Sequence, residues 1–135
     1  MGAWGGDTFD NDTACDWTYD LEGAEDLSFV RETLARVTAI GSEYLDSDGA
    51  CAGLAACEVL ARLKGNWGVR NAYTGTVDKW VSAHQGQPPA DLIATALLVI
   101  NRVLSPPSEL LELWSESDGK DWHAAVADLR KRVSS

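Results

Sequence analysis

Ser47–Gly65 reads SDGACAGLAACEVLARLKG. Alanine, leucine, glycine, cysteine and valine occupy nearly every position, so a helix formed here is apolar all round. Such a helix belongs at the centre of a domain, and its small side chains let neighbours pack close. The spacing predicts a helix from about Asp48 to Lys64, stopped by Gly65. Its internal charges are Glu58 and Arg62, four apart and in the favourable order. They share a face with Asp48, Cys51 and Ala55.

Outward from this stretch the chain breaks into amphipathic helices. Upstream, about Asp26 to Ile40 places Leu27, Val30, Leu34 and Val37 on one face, and Gly41 suits its end. Before that, a short helix runs to about Leu21, with Asp10 as N-cap and Phe9 stapled onto Ala14. Its core stripe is Ala14, Trp17 and Leu21. Downstream, Asn66 to Gly75 reads as a loop, and a short helix from Thr76 carries Val77, Trp80 and Val81. Pro89 opens a long helix to Leu104 that buries Leu92, Ile93, Ala96, Leu97, Ile100 and Val103. ELLELW turns Leu110, Leu113 and Trp114 inward, and Asp118 caps a last helix with Trp122, Val126, Leu129 and Val133 in its stripe. Arg130, Lys131 and Arg132 suit the negative end of that helix. No segment alternates like a strand. The expected architecture is an all-α compact bundle of about seven helices, one domain over 1–135, with residues 1–10 laid across it as an arm.

The chain has 135 residues, 45% of them hydrophobic and 24% charged, which suits a real core and argues against disorder. The net charge of −10 opposes nucleic acid or an anionic membrane as partner. That charge is unevenly placed. Met1–Glu58 holds 13 acids and two bases, whereas the remainder holds eight acids and nine bases. Six tryptophans are spread along the chain, each expected to anchor a different helix. Cys15, Cys51 and Cys57 form no CxxC pair and read as small apolar residues. Neither a secretory leader nor a spanning apolar run is legible, so the expected location is the cytoplasm.

The opening, MGAWGGDTFDNDTACDWTYDL (1–21), carries Asp12, Asp16 and Asp20 in one column. Like charges at that spacing cost roughly 0.2–0.5 kcal/mol per pair in an isolated helix. The same opening resembles the signature of an uncharacterised bacterial family, a domain of unknown function. The resemblance rests on Met1-Gly2-Ala3-Trp4-Gly5, Phe9, Asn11-Asp12, Ala14 and Asp16-Trp17. It continues through AACEVLARLKG, Ser108–Trp114 and the helix from Trp122 to Arg132. It implies a small bacterial cytoplasmic protein and brings no activity or catalytic residue. Asp7 stands where that family usually has glycine, so a positive φ at this position would strain the loop.

Little in the sequence points to catalysis. His84 and His123 lie apart, without partners at zinc-ligand spacing. No phosphate-binding loop, dinucleotide fingerprint or nucleophile motif appears. The acids around Gly5-Gly6 oppose an anion there. Carboxylates remain: Asp12 or Asp16 with Asp46, Asp48 and Glu58 form the set that would gather a divalent metal inside a bundle, although the paired Glu-Glu-x-x-Glu helices of a pyrophosphatase bundle are missing. Glu58 also has a structural reading, paired with Arg62 or accepting hydrogen bonds from buried backbone. Trp4 reads as an anchor that, with Phe9, Asn11 and Trp17, docks the acidic column. The leading expectation is a non-catalytic interaction module, immunity- or inhibitor-like, with no cofactor, binding a basic protein through Asp12, Asp16 and Asp20. The alternatives are a carboxylate-based metal enzyme acting on a small phosphorylated substrate, and a domain that associates with itself.

Overall fold

The computed structural model describes residues 5–135. Trp4 and its expected anchoring role lie outside the described residues. Seven helices succeed one another: α1 (Asp12–Glu22), α2 (Ser28–Ile40), α3 (Ser47–Leu63), α4 (Gly75–Ala83), α5 (Ala90–Val103), α6 (Glu109–Ser115) and α7 (Lys120–Ser134). The fold is all-α, and the described residues contain no strand beyond an isolated bridge between Leu45 and Ser108.

The apolar stretch does become the axis. α3 touches all six other helices, and from Ala50 to Leu63 only Ala52 escapes full burial. Small side chains set how near the neighbours come. A Cβ on Gly53 would stand 3.0 Å from Val37 and 3.0 Å from Val99, so α2 and α5 close on α3 there as far as atoms allow. α1 is fixed to α2 through Trp17, whose ring stacks on Phe29 at 5.1 Å and whose indole N–H donates to Thr33 Oγ1 at 3.0 Å.

Several boundaries differ from the sequence expectation, each for a local reason. Asn11, not Asp10, caps α1, because its backbone is extended (φ −154°, ψ 156°) and its side-chain oxygen accepts the Ala14 N–H at 2.7 Å. The Asp10 carboxylate instead accepts the Asp7 N–H at 3.2 Å. α2 starts at Ser28, since Asp26 accepts the Ser28 N–H at 2.9 Å in a local turn ahead of the helix. Asp46 caps α3 by accepting the Gly49 N–H at 2.7 Å. Asp118 does not cap α7; Gly119 precedes it in the left-handed region (φ 62°), so close to the Trp114 carbonyl that a Cβ has no room.

Burial follows the predicted stripes, with graded edges. Leu27, Ile93, Leu97 and Trp114 are only half-buried, while Val99, absent from the expected core, is fully enclosed. The tryptophans do not each hold a separate helix. Trp67 lies in the α3–α4 connection under the Arg70 guanidinium (4.5 Å), and Trp114 stacks against Trp122 (6.2 Å). All three cysteines are free, Cys15 half-buried and the others buried. Burial pushes the Cys51 thiol up to about 12, with Asp48 adding to it.

The described part of the arm is strapped down by its own small residues. A Cβ on Gly6 would lie 2.8 Å from the Trp122 nitrogen and 2.9 Å from the Asp121 carbonyl carbon, so only glycine allows this approach to α7. Phe9 is then buried at 3% exposure. No non-glycine residue among those described has a positive φ, so Asp7 is unstrained in backbone. Its cost is electrostatic: burial first, then Asp10 and Glu58, raise its pKa above the ordinary carboxylate value.

Candidate functional site

Two clusters of charge stand out, one buried and one exposed. The buried cluster centres on Glu58, which α3 holds inside the bundle at 5% exposure. Arg62, one turn on, donates to Glu58 Oε2 and, through Nε, to Asp78 Oδ1 at 2.9 Å. Its third contact is the Val69 carbonyl, at 2.7 Å. Arg132 of α7 reaches the same carboxylate with both terminal nitrogens, to Oε1 and Oε2, each at 2.9 Å. The Thr8 hydroxyl donates to Oε1 at 3.0 Å, so the arm closes the cluster.

Every buried charge here has an opposite neighbour, as a low-dielectric interior requires. Asp78 also accepts from Thr74 (2.8 Å) and lies 3.4 Å from Arg70; Arg132 also reaches Asp128 (2.7 Å). Burial works against the Arg132 charge, but the Glu58 and Asp128 carboxylates outweigh it and hold its pKa above the ordinary arginine value. The cavity beside this network measures about 30 Å³. That is room for a water molecule or two, not for a metabolite. Chemically the cluster is a clamp joining α3, α4, α7 and the arm.

Glu58 thus realises the structural reading of the sequence in its first form, pairing with Arg62. Among the described residues no backbone N–H donates to it; Arg132 and Thr8 supply the other hydrogen bonds. Nothing local in the sequence joined Glu58 to Arg132, which lies 74 residues away.

The metal set drawn from the sequence is not assembled. Glu58 lies ten residues along α3 from Asp48, which separates them by about 15 Å at the helical rise. Asp46 is occupied as a cap, and Asp48 accepts the Thr13 hydroxyl at 2.9 Å. Among the described residues, no three His, Cys, Asp or Glu side chains gather in a way that could hold a metal ion. The histidines also remain apart: His84 stacks on Trp80 at 4.0 Å, and His123 meets the edge of Trp122.

The exposed cluster is the column itself. Asp12, Asp16 and Asp20 all point to solvent, and none takes part in a salt bridge among the described residues. Among the described residues no cation pairs with them: Arg31 pairs with Asp91 at 2.7 Å, and Arg62 and Arg132 serve Glu58. Tyr19 stands beside the column at 67% exposure.

Both clusters fall mostly within residues 2–125, which match the family described as Domain of unknown function (DUF4259). The chain belongs to this family. No curated protein and no solved structure matches the chain. The DUF4259 span includes the arm, the acidic column, Glu58, Arg62 and Asp78, and ends short of Asp128 and Arg132. No helix among the described residues of this DUF4259 protein is long and apolar enough to cross a membrane.

Proposed function

We propose that this DUF4259 protein is a small, acidic, non-catalytic interaction module, and that the exposed face of α1 binds a basic surface on a partner protein. The observation that supports the reading is the column of three solvent-facing carboxylates, unpaired among the described residues, beside an exposed tyrosine. Repulsion along the column is left standing in the free protein, and a cationic partner would relieve it. Patches of one sign speed encounter with the opposite sign and reject like-charged surfaces. Tyrosine beside such a patch adds contact area at low entropic cost. Immunity proteins and toxin inhibitors are the class whose size and charge this chain shares, by analogy alone.

The test is a triple reversal, D12K/D16K/D20K. Its circular dichroism should match the wild type, because all three positions are exposed. A partner that co-purifies with the wild type at moderate salt should be lost from the variant, and lost from the wild type as salt rises. Recovery of the same partner by the reversed protein would sink the proposal.

A further inference from the structure

An apolar hollow with acidic residues at its edge, a groove of about 330 Å³, lies between α1, α2 and the start of α3. Its floor is made by Trp17, Val37, Ile40, Leu45 and Ala52. It exists because the apolar residues α3 presents there are the small Gly49 and Ala52, three apart, leaving a trough that neither α1 nor α2 fills. The hollow falls in the size range of pockets that hold ligands or anchor side chains.

Charge distinguishes its two sides. Going round α1 at 3.6 residues per turn, away from the core line of Ala14 and Leu21, one passes Trp17, then Thr13, then Asp20 and Asp16. Trp17 is the α1 residue that lines the groove, and Asp20 and Asp16 follow it on the solvent side of the helix. The Thr13 hydroxyl ties α1 to Asp48. On the α3 rim stand Asp46 and Asp48, both exposed. Asp46 gives one carboxylate oxygen to its cap and Asp48 one to Thr13, so each keeps an oxygen for a ligand. Among the described residues the cation lining the hollow is Arg36, on the α2 wall, which suits a main-chain carbonyl of whatever enters.

We infer that this groove is the anchor pocket of the interface proposed above, and the inference rests on that reading. Its occupant is a basic segment of the partner that places one leucine-, methionine- or phenylalanine-sized side chain on the Trp17–Ala52 floor. Lysines or arginines flanking that anchor meet Asp16 and Asp20 on one side and Asp46 and Asp48 on the other. A second copy of this chain is disfavoured as occupant, since a symmetric pairing would bring the same carboxylates together.

The experiment uses the full chain and two fluorescein-labelled, lysine-rich ten-residue peptides of equal charge. One carries a central leucine, and its twin has serine in that place. Anisotropy at low salt should show the leucine peptide binding about tenfold tighter or more, the return expected from burying one such side chain. Nitrogen-15 spectra should show the Trp17 indole N–H and the Ala52 amide shifting with the leucine peptide alone. Ala52→Met, which fills the trough from a half-buried position, should erase the leucine advantage and leave the serine twin unchanged. If that variant is poorly folded, Ile40→Ser provides the same comparison by removing part of the floor. Equal binding of both peptides, lost in D12K/D16K/D20K, would overturn the groove while the acidic face stands. Binding of neither peptide would remove the interface reading itself. Leucine-peptide binding that survives the charge reversal would make the groove a site for apolar ligands unrelated to the acidic face, and would also overturn the inference.

Discussion

Replacing Glu58 by glutamine keeps the side chain's shape and removes its charge, which makes it the sharpest probe of what holds this bundle together. In the wild type two guanidinium groups and the Thr8 hydroxyl converge on one carboxylate. Glutamine presents one oxygen and one NH₂, so donors that met a carboxylate oxygen face another donor. Removing one member of a buried ion pair costs about 3–5 kcal/mol, because the partner charge stays buried. Here each arginine keeps another carboxylate, Arg62 the Asp78 side chain at 2.9 Å and Arg132 the Asp128 side chain at 2.7 Å. That residual pairing places the expected loss near the lower end, about 3 kcal/mol, or roughly 12 °C in melting temperature for a chain of this length. Urea titrations followed by tryptophan fluorescence, with thermal melts by circular dichroism, give both quantities. The loss should change little between low and moderate salt, since buried pairs are weakly screened. Asp91→Asn, which breaks the exposed Arg31–Asp91 pair, is the control and should leave the melt unchanged. A Glu58→Gln loss below about 1 kcal/mol would refute the argument, because it would mean the cluster is solvated and interchangeable.

Two further outcomes test the arm. Gly6→Ala sets a methyl group against the backbone of Asp121 and Trp122, which cannot yield as a flexible side chain would; the arm must lift, costing about 1–3 kcal/mol and loosening Phe9. Gly75→Ala, with nothing within 4 Å of its Cβ, should be tolerated, so equal melting temperatures for the two would contradict the packing described. Asp7→Asn probes the crowded carboxylates. Asp7 has a raised pKa in the folded chain, so its contribution to stability is present below 3.8 and is lost as pH rises through the folded value. The asparagine variant should therefore melt slightly higher than the wild type at pH 7 and lose that advantage near pH 3. A variant that melts lower at pH 7 would show that the Asp7 charge is welcome there.

Most of the helices were legible because each buries a stripe of the right period. Trp122, Val126, Leu129 and Val133 declare α7 from sequence alone, and all four are buried. Helix starts were less legible, for neighbouring polar residues compete for the same role. Asp10 and Asn11 are both good caps, and only the turn that sends the Asp10 carboxylate to the Asp7 N–H leaves the cap to Asn11. Asp118 lost its role to Gly119 because the close approach to Trp114 leaves no room for a Cβ. The candidate metal ligands were plausible as a list of residue types, yet the helical rise alone keeps Glu58 far from Asp46 and Asp48.

By itself, the chain's order of residues determined an all-α bundle wrapped on a helix from about Asp48 to Lys64, and a negative charge gathered in its first half. Periodicity and composition are local properties, and they suffice for that much. Tertiary structure alone decided which charges meet. Arg132 could have faced the end of its own helix, but the packing of α7 on α3 delivers it to Glu58, where desolvation demands a partner. The same packing leaves Asp12, Asp16 and Asp20 without one among the described residues, and Arg31, the cation nearest in sequence, pairs with Asp91 instead. An ion pair depends on distances between helices far apart in sequence, and only the folded chain sets those distances.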